Sequence, residues 1–222
     1  MEAVVTRVPA PAATSQWHVT IAGLRHAFGD CVLAVSFMLA MLPAGRELSF
    51  TLAGAANVVW IAGAAIMAVM SFARFVPRSA TVNLRTLVAS GGMLILPCFM
   101  RPANPSFGAL ATAGLVLELF GVVLTQVARV YMGRSFGILP ANRGIVSRGP
   151  FRWVRHPIYF GWLILSIGYA MSYATERNTI LIAMTIPFMV WRISQEEKHL
   201  TADPEYCRYV RLVRYRLFPG VV

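Results

Sequence analysis

The sequence predicts an all-α, polytopic transmembrane protein of about five to six apolar helices, and three observations carry that expectation. Of 222 residues, 57% are hydrophobic and 13% charged, whereas an ordinary soluble domain carries about 25% charged residues. The apolar residues gather in long runs. The basic residues collect between those runs. A net charge of +11 would suit nucleic acid if it covered a soluble face, but this segregation argues against such a partner. Membrane lipids are the expected surroundings.

Taken in order, residues 1–26 form an N-terminal tail and an interfacial segment. The tail is rich in Pro and Ala, with Pro9 and Pro11, and lacks the charged and apolar regions of a cleaved signal. Trp17 to Arg25 suits headgroup depth. Residues 27–128 hold the transmembrane scaffold, with apolar runs at 27–44, 52–73, 86–100 and 107–128. Gly54, Gly63, Gly108, Gly114 and Gly121 are small residues of the kind that let membrane helices approach closely. Residues 129–222 carry the chemistry in a loop, two shorter runs and a tail. Those runs, 158–174 and 178–191, are separated by Ala-Thr-Glu-Arg-Asn. They are close to the roughly 17-residue lower limit for a span, and the short connection predicts a helical hairpin. Asp203 before Pro204 reads as the cap of a C-terminal helix, whose arginines and tyrosines suit a membrane-surface lid or an anionic-lipid anchor.

Charge sets the expected topology. With the N-terminus inside, the inner segments hold Arg7, Arg25, Arg74, Arg78, Arg85, six arginines at 129–155, and Arg192, Lys198, Arg208, Arg211, Arg214 and Arg216. The outer loops hold Arg46, Arg101 and Arg177. Seventeen against three is a strong positive-inside bias. It places the loop and the tail on the cytoplasmic side.

Cys31 and Cys98 fall in apolar runs and Cys207 in the tail. This spacing offers no metal-ligand set and no disulfide framework, so no metal is expected. Glu118 lies mid-span, where a carboxylate is either functional or bonded to a neighbouring helix. Asn57 reads as helix-packing glue.

The stretch from Arg129 to Tyr159 contains six arginines and no carboxylate. Its end, Arg155-His156-Pro157-Ile158-Tyr159, opens the hairpin. Proline suits a first helical turn, which places His156 and Tyr159 beside unpaired N–H groups that favour an anion. An interfacial aromatic and histidine belt would read the same. Where the hairpin returns, Arg192 and Glu196 stand four apart on one helical face, as either an edge ion pair or part of a pocket. Cationic, anionic and aromatic groups thus converge at one mouth, beside apolar helices able to hold a lipid-like ligand.

A longer pattern runs through these residues. It comprises Ser135-Phe136-Gly137-Ile138, Arg143-Gly144-Ile145-Val146, Gly149-Pro150-Phe151-Arg152, Arg155 to Tyr159, Glu196-Glu197-x-x-Leu200 and Tyr206-x-x-Tyr209. It resembles the isoprenylcysteine carboxyl methyltransferase family over roughly residues 107–222. The resemblance implies an integral membrane enzyme of the bacterial inner membrane. It would use S-adenosyl-L-methionine to methylate a lipophilic or lipid-modified acceptor at the cytoplasmic face. It implies that Arg143, Gly144, Ile145, Val146, Phe151, His156, Pro157, Ile158 and Tyr159 line the cofactor pocket and that Glu196 closes it. Arg192 matches the family's substrate-associated catalytic arginine. Eukaryotic members usually carry Tyr at the position of Phe151 and His at that of Arg143. The family also includes bacterial members acting on other small lipophilic or thiol acceptors. Two other readings remain: an NADPH-dependent membrane reductase of the sterol-reductase type, and a non-enzymatic lipid-binding membrane protein.

Overall fold

The structure, a computed structural model, describes residues 83–100, 108–135, 137, 141–218 and 220, together with 58, 61–63, 65, 66, 69, 79 and 80. The expected run at 27–44, most of that at 52–73, the Trp17–Arg25 segment, Cys31, Gly54 and Asn57 lie outside the described residues.

Helix α1 (Leu84–Ile95) starts at a reciprocal cap. The Asn83 side chain accepts from the Thr86 amide at 2.9 Å, and the Thr86 hydroxyl accepts from the Asn83 amide at 3.0 Å. Such a box satisfies two of the donors that a helix start leaves unpaired. Pro97 then follows in a 3₁₀ turn, Leu96–Phe99.

Helix α2 (Ala109–Met132) has 24 residues. At 1.5 Å per residue it spans about 36 Å, more than the roughly 30 Å of a bilayer's hydrocarbon core. Among the described residues, the 109–135 stretch is the one helix long and apolar enough to cross a membrane. Two stripes divide its surface. Gly114, Glu118, Gly121, Thr125 and Ala128 are buried, while Val116, Phe120, Val123, Val127 and Val130 are exposed. Both stripes follow the i, i+4, i+7 spacing of a helical face. The exposed stripe is wholly apolar.

Helix α3 (Pro157–Ser172) lies along the buried stripe of α2. A Cβ on Gly121 would stand 2.6 Å from the Gly161 carbonyl oxygen, and one on Gly168 2.5 Å from that of Gly114. The backbones are therefore in contact through glycine, the means by which membrane helices pack closely. Gly114 and Gly121 fill the role expected of them, with Gly161 and Gly168 as partners. Gly108 does not: it sits before α2 at φ 122° with nothing near its would-be Cβ. There a positive φ, which glycine adopts without steric cost, accounts for the residue. Gly63 faces the Gln126 side chain.

Helix α4 (Glu176–Leu200) follows after only Tyr173–Thr175. Thr175 caps it by accepting from the Asn178 amide at 3.2 Å, so Glu176, Arg177 and Asn178 form a first turn instead of a loop. The hairpin is splayed. α3 packs chiefly on α2 and α4 chiefly on α1, with little direct contact between the arms. The glycine seam draws α3 to α2, and the Phe188 ring of α4 sits against Gly92 of α1. α4 runs on past its apolar part and carries Arg192, Glu196 and Glu197 outward on a rigid rod. Helix α5 (Pro204–Leu212) is capped by Asp203, whose side chain accepts from the Glu205 amide at 2.8 Å.

A two-residue antiparallel ladder, β1 (Ser79–Ala80) with β2 (Ala141–Asn142), has no counterpart in the sequence-based expectation. It ties the 141–156 segment across the outer end of α4.

Candidate functional site

Where the splayed arms open, the 141–156 segment and α5 close over a cavity of about 170 Å³. A single water needs only about 10–15 Å³, so the space suits an organic ligand. Its wall includes Arg143, Gly144, Ile145, Val146, Phe151, His156, Pro157, Ile158, Tyr159, Arg192 and Glu196. These are the eleven residues singled out from the sequence, brought together from three segments. Met93, Leu94, Met132 and Leu200 give the same cavity an apolar part.

Arg192 and Glu196 are joined through a third group. The Arg192 Nε donates to the Tyr159 hydroxyl at 2.6 Å, which in turn donates to Glu196 Oε2 at 2.9 Å. Arg192 is 7% exposed, and its guanidinium also donates to the Ser90 hydroxyl of α1. A buried guanidinium held by three elements cannot swing freely. Of the two readings of this pair, edge ion pair or part of a pocket, the geometry is that of a pocket-lining relay in which Tyr159 fixes both partners. Tyr159 itself packs with Met189 and Ile193.

Glu197 forms a second centre. It is 7% exposed and accepts from Arg155 Nη1 at 3.2 Å and Arg216 Nε at 2.9 Å, with His156 Nε2 at 3.2 Å. Burial alone would push its carboxyl up. The hydrogen bond from His156 and the charges of His156, Arg155 and Arg216 hold it below the usual carboxylate value. The backbone follows the same path, since the Arg155 and His156 amides donate to the Tyr215 and Arg216 carbonyls at 2.9 Å each. The tail therefore straps the start of α3. His156, expected as a direct cofactor contact, has one ring nitrogen engaged by Glu197.

Helix α5 forms the remaining wall. Tyr206, Tyr209 and Val213 pack with Ile145 and Leu200, and the Tyr209 hydroxyl donates to the Phe151 carbonyl at 2.7 Å. Asn142 donates to Asp203 and accepts from the Gly144 amide at 3.0 Å, which couples the loop to the lid's cap. Gly144 has φ 100°, a conformation that favours glycine.

Sequence reasoning missed Ser90 and Asn142, and it gave Glu197 and Tyr206 only as members of the longer pattern, with no separate site role. The Glu196-Glu197 doublet held a signal, since adjacent helical residues point about 100° apart (3.6 per turn) and must face different partners. Ser90 had none, because its polar role depends on how α1 packs against α4.

This arrangement defines a helical protein with an amphipathic cavity at the end of an apolar hairpin. Residues 113–202 match the isoprenylcysteine carboxyl methyltransferase (ICMT) family. The chain is 31% identical over 108 residues to protein-S-isoprenylcysteine O-methyltransferase A of Arabidopsis thaliana, covering 45% of this chain and 55% of that protein. It is 29% identical over 133 residues to the Schizosaccharomyces pombe protein-S-isoprenylcysteine O-methyltransferase, covering 54% and 56%. With the Homo sapiens protein of that name it shares 27% over 113 residues, covering 47% and 39%. The chain spans about half or less of the length of these curated relatives.

Proposed function

We propose that this protein is an S-adenosylmethionine-dependent methyltransferase that acts on a lipophilic acceptor at the cytoplasmic face of a membrane. One observation carries the proposal: the eleven site residues that the resemblance implies share one cavity that joins an ionic end to an apolar wall. The relatives are named for methylation of isoprenylcysteine, and an isoprenylcysteine-like carboxylate or another small lipophilic or thiol acceptor suits this cavity.

The donor set fits such a cofactor. Glu196, held by Tyr159, offers a carboxylate to the cofactor's ammonium or sulfonium. The 141–146 loop presents backbone around Gly144, and Ile145, Phe151 and Ile158 supply apolar surface. When bound, the sulfonium supplies an electrophilic methyl group. Displacement at such a group depends on alignment and exclusion of water more than on acid–base help, so no general base is assigned. Arg192 holds the acceptor with its planar fork, and the α5 lid keeps water out. The arginine bias supports embedding with the mouth inside, and the apolar outer stripe of α2 supports contact with lipid.

Purified protein given methyl-labelled S-adenosylmethionine and N-acetyl-S-farnesylcysteine, or a membrane lipid extract, should transfer label to the organic phase. The Arg192→Lys variant should transfer little. Absence of label from every lipophilic acceptor, with oxidation of NADPH in a parallel assay, would favour the reductase reading.

A further inference from the structure

We propose that the groove between Trp153 and Leu212, on the outer side of the lid, seats the headgroup end of an anionic phospholipid. The groove shares no residue with the cavity at the hairpin mouth, so the inference stands or falls apart from the methyl-donor reading.

Helix α5 has two faces. Tyr206, Tyr209 and Val213 turn inward against Ile145 and Leu200, while Arg208, Arg211 and Leu212 turn outward. Leu212 is 83% exposed, and Trp153, just before α3, is 70% exposed. Both border one open groove of about 420 Å³, completed by Arg152, Val213, Arg214 and Tyr215. Its rim is fixed. The Trp153 amide donates to the Pro150 carbonyl at 3.1 Å and the Arg155 amide to the Tyr215 carbonyl at 2.9 Å. Arg155 Nη2 donates to the Arg214 carbonyl at 3.2 Å. Phe151 and Val154 are buried on either side of Arg152 and Trp153. The indole is therefore held outward by anchored neighbours, and an apolar partner would take its surface out of water.

Charge says which kind of partner. Arg148, Arg152, Arg208, Arg211 and Arg214 are exposed, and none of them forms an ion pair among the described residues. Glu205 is the one carboxylate in residues 204–222, and it lies at the opposite end of α5 from Leu212. Arg152 and Arg214 thus flank two exposed apolar side chains without a counter-charge. A free phosphate or an acidic peptide would leave Trp153 and Leu212 in water, and a neutral acyl chain would leave the guanidiniums unmatched. An anionic phospholipid meets both needs, with its phosphate between the arginines and its ester end against the indole and Leu212. The location agrees. Trp153 stands four residues before Pro157, at most about 14 Å of chain from the start of α3, and tryptophan near a helix mouth suits headgroup depth. Basic amphipathic segments beside a bilayer attract anionic lipid. Because α5 also walls the cavity, a lipid held here anchors the lid to the membrane surface.

The test uses the full chain in neutral detergent, with native mass spectrometry counting the lipid bound as phosphatidylglycerol or phosphatidylcholine is added. Each arginine near an anionic headgroup is worth roughly fivefold in affinity, so the wild type should hold phosphatidylglycerol at least tenfold more tightly than phosphatidylcholine. The double variant Arg152→Gln/Arg214→Gln should lose that preference, and Trp153→Ser should weaken both lipids. Arg85→Gln/Arg177→Gln removes two exposed charges outside the groove and should bind like wild type. Equal affinity of the wild type for the two lipids overturns the proposal without any variant. An equal loss in the two double variants also overturns it, since net charge alone would then attract the lipid. Inorganic phosphate displacing phosphatidylglycerol at equal concentration would mark a free-anion site instead of a lipid seat.

Discussion

At the residue scale, two neighbouring carboxylates have separate duties. Glu196 faces the cavity through Tyr159, while Glu197 fastens the tail and the start of α3. Removing one partner of a buried ion pair costs about 3–5 kcal/mol, so Glu197→Gln should lower thermal stability by an amount in that range. The pH dependence has a definite sign. The folded-state carboxyl lies below its usual value, so its stabilisation is complete at neutral pH. That contribution is lost as pH falls below about 4.3, the ordinary Glu value, and through the folded one. Unfolding curves of wild type and Glu197→Gln should therefore converge in acid and diverge toward neutrality. A difference independent of pH would show that the carboxylate charge contributes nothing.

Arg192→Lys tests the other centre. Lysine keeps the charge but cannot donate in the fork that reaches both Tyr159 and Ser90. Turnover of the acceptor should fall at least tenfold, while affinity for S-adenosylhomocysteine changes little. An equal loss in both would move Arg192 from the acceptor to the cofactor. The cavity-lining set could be read from sequence because its members are chemically unusual beside apolar helices. Glu197 could not be singled out, since its partner Arg216 sits in a tail whose path is set by backbone pairing with Arg155 and His156.

At the element scale, the α2–α3 seam fixes where the hairpin opens. Gly168→Ala would press a methyl group onto the α2 backbone around Gly114 and Glu118. Overpacking of this kind costs about 1–3 kcal/mol, readable as a lower Tm in detergent. Gly91→Ala is the matched control, because its Cβ would meet only Ile95 Cδ1 at 3.9 Å. Equal effects in the two variants would remove the seam from the account. The apolar runs placed the starts of α1 through α4 to within about two residues, although α4 continues to Leu200, beyond the run that ended at 191, and Asp203-Pro204 marked the start of α5. The splay of α3 from α4 was hidden, because a short loop predicts neighbours without specifying which faces are small enough to touch. The β1–β2 ladder was hidden for a related reason. It is two residues long, and its pairing depends on distant segments.

At the scale of the whole molecule, the arginine asymmetry supports the proposal that the mouth opens to the cytoplasm. Single cysteines introduced into a background with Cys31, Cys98 and Cys207 replaced should react with an impermeant reagent outside intact cells at positions 46, 102 and 177. Position 143 should react only after permeabilisation. External labelling at 143 would invert the topology and separate the site from a cytoplasmic cofactor pool.

The central claim is that the cavity at the hairpin mouth binds a methyl donor, and calorimetric titration of the purified protein tests it most directly. Wild type should bind S-adenosylhomocysteine at one saturable site and show no heat with NADPH. Glu196→Gln should bind ten- to hundredfold more weakly, as expected for loss of about 1.5–3 kcal/mol from a charge-assisted hydrogen bond. Unchanged affinity in Glu196→Gln, or saturable binding of NADPH with none of S-adenosylhomocysteine, would contradict it.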